Sequence, residues 1–144
     1  MLSNTCKYAL RAVIYLAIHT KDGQRIGIKK ISSDLGVPSP FLGKILQSLA
    51  KHKLLTSTKG PNGGFALGKP ADDILLMDVV EIIDGQDNFH RCAIGVKYCA
   101  EQEYPCALHS RYAKLRDEMK KLFQSETVED VAKDAEENLD KIII

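Results

Sequence analysis

A mostly α-helical fold with a small two-stranded β element, and one long helix set apart from the rest, is what this sequence predicts. Three observations predict it. Residues 26–67 run through two short segments with apolar faces into a turn-rich stretch. Leu108, Tyr112, Leu115, Met119 and Leu122 recur at intervals of four and three. Charge is divided: residues 1–70 hold 11 Lys/Arg against 2 Asp/Glu, and residues 71–144 hold 9 against 17.

Thr5 to His19 reads as a helix, with Ala9, Leu10, Val13, Ile14 and Ala17 facing inward. Lys21-Asp22-Gly23 ends it. Ile28, Ile31 and Leu35 then share one face of a second helix. Leu42, Ile45, Leu46 and Leu49 follow the i, i+3, i+4, i+7 pattern of a third. Ser39 is its N-cap candidate, and Pro40 suits its first turn. The stretch LLTSTKGPNGGFAL reads as a hairpin whose tip is Asn62-Gly63, a pair with ready access to positive φ. Two short helices at an angle followed by a basic hairpin make a winged helix-turn-helix, which seats one helix in a DNA major groove.

Ile74 to Leu76 reads as a short strand extending the wing, and Asp78 to Ile83 as a short helix stopped by Asp84-Gly85. Gln86 to Pro105 is polar and irregular, a length usual for functional loops. Cys106 to Phe123 is strongly helical with a coiled-coil seam of Leu108, Tyr112, Leu115, Met119 and Leu122. A last helix starts near Thr127 and carries Val128, Val131, Ala132, Ala135 and Leu139. The expected organisation is thus a winged helix-turn-helix domain at 1–84, a cysteine-containing sensor loop at 85–105, and a dimerisation helix with a C-terminal helix at 106–144. The seam either folds back on the winged domain or pairs with a second copy. Dimerisation is expected, because winged domains that read sequence commonly work as twofold dimers on pseudo-palindromic sites.

The basic N-terminal half points to a polyanion partner, with double-stranded DNA foremost. Because the leucines and Ile45 claim the core side, Ser39, Pro40, Phe41, Lys44, Gln47 and Lys51 are expected on the groove side. Lys44 can donate to guanine or phosphate, and Gln47 can bridge to adenine. Lys59, Gly60, Asn62 and Gly63 of the wing are expected to track the adjacent minor groove or backbone. Hydrophobic residues make up 44% of the chain, enough for a core, and no apolar run approaches a membrane span. Lys7 and Arg11 interrupt the N-terminal apolar pattern, which does not read as a secretory signal. A cytoplasmic location is therefore expected, with no membrane and no small-molecule substrate. In that compartment clustered cysteines bind metal or do redox work.

Cys92, Cys99 and Cys106 lie within fifteen residues, and His109 stands one helical turn beyond. Such a set can converge on one centre, and thiolates are the usual Fe–S ligands. The spacing is not the CxxC of zinc ribbons or fingers, so an Fe–S cluster, zinc and redox thiols all stay open on the residues alone. Cys6 stands apart in the first helix and reads as a small structural residue. Nothing in the sequence supports catalysis: there is no phosphate-cradling Gly-rich loop and no nucleophile–base signature. An electron carrier or metalloenzyme using the same cysteines leaves the basic wing without a purpose.

These residues carry a resemblance over nearly the whole chain. Tyr8-Ala9-Leu10-Arg11-Ala12, Pro40-Phe41-Leu42, Leu46-Gln47-Ser48-Leu49 and, most specifically, Lys59-Gly60-Pro61-Asn62-Gly63-Gly64-Phe65 with Leu67-Gly68-Lys69-Pro70 resemble the IscR/NsrR/CymR family of winged-helix regulators. The resemblance implies a dimeric DNA-binding transcriptional regulator, with repression the expected direction. Its cluster-binding branch places three cysteines just before the dimerisation helix, where Cys92, Cys99 and Cys106 stand. It also implies His109 as the fourth ligand of a [2Fe-2S] or [4Fe-4S] cluster, with Cys6 of a partner copy as the alternative. The family's signals are nitric oxide, redox state or iron–sulfur supply, and its cluster-free members respond through thiols or partner proteins. Three departures stand out. Six residues separate successive cysteines where five or so are usual. Lys7 takes the place of an acidic ligand, and Gly43 that of a Glu which tunes site choice.

Overall fold

The computed structural model describes residues 1–94 and 106–137. Among these residues run α1 (Asn4–His19), α2 (Ile28–Leu35), α3 (Ser39–Lys51), β1 (Leu55–Thr58), β2 (Gly64–Leu67), α4 (Leu76–Asp84), α5 (His109–Ser125) and α6 (Val128–Glu137). Short 3₁₀ turns at Lys21–Gly23, Ala71–Asp73 and Gln86–Phe89 join several of them. The mostly helical class with a small β-wing is as expected.

The central element is α1, against which α3, α4 and α6 pack. Ser3 caps it, its Oγ accepting from the Cys6 amide at 3.0 Å. Ala9, Ala12, Val13 and Leu16 are buried, and the small Ala9 and Ala12 leave room for neighbouring helices to approach closely. Gly36 ends α2 in the left-handed conformation at φ 64, an ordinary glycine C-cap. Tyr15 Oη donates to Asp34 at 2.5 Å and Lys30 Nζ donates to the same carboxylate at 2.9 Å, which ties α2 to α1.

Ser39 does not cap α3. Leu42 N already donates to Pro38 O at 2.9 Å, so Ser39 is the first helical residue, Pro38 flanks it, and no side chain caps the end. Pro40 falls in the first turn, where its missing N–H costs nothing. Leu42, Ile45, Leu46 and Leu49 are all buried against α1, as their spacing requires.

In the wing, β1 and β2 pair antiparallel from Leu55 opposite Leu67 to Thr58 opposite Gly64. Gly63 N donates to Gly60 O at 2.9 Å, so Pro61 and Asn62 occupy the middle of the turn. Neither adopts positive φ. Asn62-Gly63 therefore does not form the primed turn the pair favours, because Pro61 fixes an ordinary turn at its first central position. Gly63 is required by space instead: a Cβ there would lie 2.1 Å from the Thr58 carbonyl oxygen. Gly64 is required twice over, by a φ of 142° and by an Ile26 carbonyl 2.5 Å from where its Cβ would sit. That approach lets Ile26 and Phe65 exchange backbone hydrogen bonds at 3.0 and 2.8 Å, anchoring the wing to the entrance of α2.

Ile74 to Leu76 does not extend the wing. Leu75 bridges Thr127, Val128 N donates to Ile74 O at 2.8 Å, and Leu76 N donates to Glu126 O at 3.0 Å. The extended stretch thus pairs with the chain between α5 and α6. This return brings Val128 and Ala132 into the main core beside α1. Asp130 N donates to Thr127 Oγ1 and Thr127 N to Asp130 Oδ2, both at 3.1 Å, a reciprocal cap that starts α6. Leu139, expected on the apolar face of α6, lies outside the described residues.

The helix α5 starts at His109 rather than Cys106. Cys106 precedes it in a turn closed by His109 N donating to Cys106 O at 2.9 Å. No residue of α5 is buried. Met119 and Phe123 rest on a second apolar cluster of Cys6, Met77, Val80 and Phe89. The Phe89 and Phe123 rings lie 6.1 Å apart.

Candidate DNA-binding face and cysteine site

One side of α3 is spent on the core, and the other presents Pro40, Phe41, Lys44, Gln47 and Lys51 to solvent, with Ser39 half-buried. Lys59, Gly60 and Asn62 are exposed on the wing, while Gly63 is half-buried by its contact with Thr58. Phe41 is a mixed case. It is 39% exposed, and its ring meets Tyr8 edge-on at 5.8 Å, with the Arg11 guanidinium 5.9 Å from the Tyr8 ring centre. It therefore also fixes the start of α3 on α1. Between α3 and β1 lies a shallow cleft lined by Gln47, Lys51, Lys53, Thr56 and Ser57. Lys53, at φ 62, is a basic residue of this surface that helical spacing did not reveal, because it lies just beyond α3. Its closeness in sequence to Lys51 was the available signal. Arg25 Nη1 donates to Thr56 Oγ1 at 3.0 Å and adds a further cation beside β1.

The described part of the cysteine site comes from Cys92, after the 3₁₀ turn at Gln86–Phe89, and Cys106, before α5. Phe89 is buried and anchors the chain just before Cys92, and Cys106 leads into α5. Both cysteines are half-buried, and their sulfurs stand 3.2 Å apart. His109 is also half-buried, and its Nδ1 is shielded from solvent without a hydrogen-bond partner. A buried orphan nitrogen is costly unless something satisfies it, and ligation of a metal or cluster is one way. Cys99 lies outside the described residues. Among the described residues no three His, Cys, Asp or Glu side chains form a metal-holding group. The donor types and the orphan nitrogen fit a thiolate-bound cluster once Cys99 is counted.

Cys6 is elsewhere. It is fully buried beneath Met77, Val80 and Phe89 in its own protomer. Burial, helped by the Asp84 carboxylate, pushes its thiol up to about 12, so it stays protonated at neutral pH. This placement gives Cys6 no surface from which to reach a partner copy.

Of the expected seam, Leu108, Leu115 and Leu122 are 39%, 64% and 52% exposed and recur every seven residues. Met119 turns the other way into the apolar cluster with Cys6, and Tyr112 is half-buried. No helix among the described residues is long and apolar enough to cross a membrane.

Comparison with known proteins agrees with this geometry. The profile of the Rrf2 family, described as an iron-dependent transcriptional regulator, matches residues 2–134. An inferred HTH-type transcriptional regulator of Aquifex aeolicus is 30% identical over 140 residues, spanning 96% of this chain and 96% of that protein. The HTH-type transcriptional regulator IscR of Photorhabdus laumondii is 27% identical, spanning 94% of this chain and 80% of the relative. Among solved structures, CymR, the global cysteine regulator of B. subtilis, superposes with a TM-score of 0.77 at 25% identity, covering 92% of this chain and 96% of its own. With a matching profile over nearly its whole length and a winged fold shared with these relatives, the chain belongs to the Rrf2 family of transcriptional regulators and is not an enzyme.

Proposed function

We propose that this regulator binds pseudo-palindromic DNA as a homodimer, and that an iron–sulfur cluster held by Cys92, Cys99 and Cys106, with His109 as fourth ligand, controls its grip. The observation that carries this reading is the approach of Cys92 and Cys106 at the foot of α5, beside a His109 nitrogen that lacks a partner. When bound, the cluster supplies a reversible, nitric-oxide- and oxidant-sensitive link between the loop and the helix. Cys92 and Cys106 are tethered at opposite ends of that loop, so ligation by both ties the segment after Phe89 to the start of α5. Because α5 rests on α4 through Met119 and Phe123, and α4 packs on α1 and α3, a change at the foot of α5 is passed to the recognition helix through packed side chains. Half-site spacing is set by the dimer, so small changes there alter affinity. Repression in the cytoplasm, with nitric oxide or redox state as the leading signal and iron–sulfur supply the second, suits a cluster with a non-cysteine ligand.

Anaerobic purification tests this directly. A brown protein with visible cluster absorbance is expected, lost in each of Cys92→Ala, Cys99→Ala and Cys106→Ala, and weakened or shifted in His109→Ala. A full cluster retained in Cys99→Ala contradicts the three-thiol set. A colourless protein that still binds DNA favours the cluster-free, thiol-controlled reading, for which the Cys92–Cys106 contact is the supporting observation.

A further inference from the structure

We infer that Cys92 and Cys106 form a specific intramolecular disulfide when a hydroperoxide meets the protein without its cluster, and that this bond, while it lasts, withdraws the protein from cluster loading. The pairing rests on geometry. The two sulfurs are already 3.2 Å apart, so bond formation needs a closure of little more than an ångström. Both residues are half-buried, which leaves them within reach of a small peroxide. Each is held from outside the loop, Cys92 by the buried Phe89 and Cys106 by the turn into His109. Cys6 does not compete, because it is fully buried in the cluster under α4.

The chemistry balances with a hydroperoxide as oxidant. The thiolate of one cysteine attacks the distal peroxide oxygen. The O–O bond breaks, an alcohol (or water, from hydrogen peroxide) leaves, and a sulfenic acid forms. The second thiolate then attacks that sulfur, the S–O bond breaks, and water departs as the S–S bond forms. Two thiols are oxidised by two electrons and one peroxide is reduced. The consequence for loading rests on the proposed ligand set, but the pairing itself does not.

The test uses the full-length protein, freed of metal by a chelator and reduced, then treated anaerobically with one equivalent of hydrogen peroxide. Of four cysteines in the chain, two are expected to resist alkylation after denaturation. Cleavage after Lys97, Glu101 and Glu103 separates all three loop cysteines, so mass spectrometry identifies the partners. A Cys92–Cys106 link, present also in Cys99→Ala, is the expected result. A dominant link through Cys99 or Cys6, or retention of all four thiols, overturns the pairing. Iron and sulfide are then offered to both forms. The oxidised protein is expected to lag well behind the reduced one until dithiothreitol is added, any uptake tracking the opening of the disulfide by sulfide, and equal loading of the two forms overturns the withdrawal. Failure of the reduced protein to load removes the cluster reading and leaves the mapped disulfide standing.

Discussion

At the residue scale, position decides which of several similar side chains carries function. Lys59 is exposed on the wing, just after β1. Lys59→Ala should weaken binding to all DNA sequences alike and reduce the slope of log affinity against log salt by about 0.9, the value of one phosphate contact. Titrations at several salt concentrations measure both, and an unchanged slope argues against a wing–phosphate contact. Gly64 carries a different burden. Gly64→Ala should cost about 1–3 kcal/mol, because the new methyl group meets the Ile26 backbone and the φ is unfavourable. Urea denaturation midpoints would register it. Cys6 predicts a pH effect whose sign follows from its raised thiol. Below about pH 9 the folded and unfolded chains both keep this proton, and the shift leaves stability unchanged. Between about 9 and 12 the unfolded chain alone loses it, so stability falls as pH rises. Cys6→Ala should lack that alkaline component, and native Cys6 should resist iodoacetamide at pH 8 while Cys92 and Cys106 react.

At the scale of elements, α5 separates two roles that one heptad pattern conceals. Leu115 is exposed and Met119 is packed against α4's cluster. Leu115→Glu should convert a dimer to monomers without unfolding them, since each lost Leu is worth roughly 1.5–3 kcal/mol at a buried interface. Met119→Ala should instead lower the melting temperature and leave the dimer in place. Light scattering with thermal denaturation distinguishes the two, and a dimeric Leu115→Glu protein contradicts the seam. The difference between these residues was not legible in the sequence, because a stripe every three or four positions records an apolar face and not which surface covers it. The same limit explains Ile74 to Leu76, whose partner lies at Thr127, far along the chain. Local patterns were legible where local forces decide: the buried faces of α1 and α3, the wing, and the glycines near its tip. Cap and turn details escaped where prolines intervened, Pro38 moving the start of α3 and Pro61 setting the wing turn. For the candidate site, the cysteine spacing showed which residues could converge. It could not show that Cys6 is buried or that Lys53 joins the basic surface.

At the scale of the whole molecule, the charge division along the chain is not a strict division in space. The lysines of α3 and the wing are exposed, whereas Lys21, just beyond α1, is paired with Glu136 of α6 at 2.7 Å. The helix α5 begins at the cysteine site and packs on α4, which in turn packs on α1 and α3. This chain of packed helices is the physical route by which loop and recognition helix can be coupled, and any such coupling must be reciprocal. The most direct test selects a duplex from a random-sequence library with the anaerobically purified protein. The affinity of cluster-loaded and cluster-free protein for it is then measured at one salt concentration. If the cluster controls the grip on DNA, the two forms differ by about 5- to 150-fold, the usual range of an allosteric coupling. Equal affinities in the two forms would contradict it.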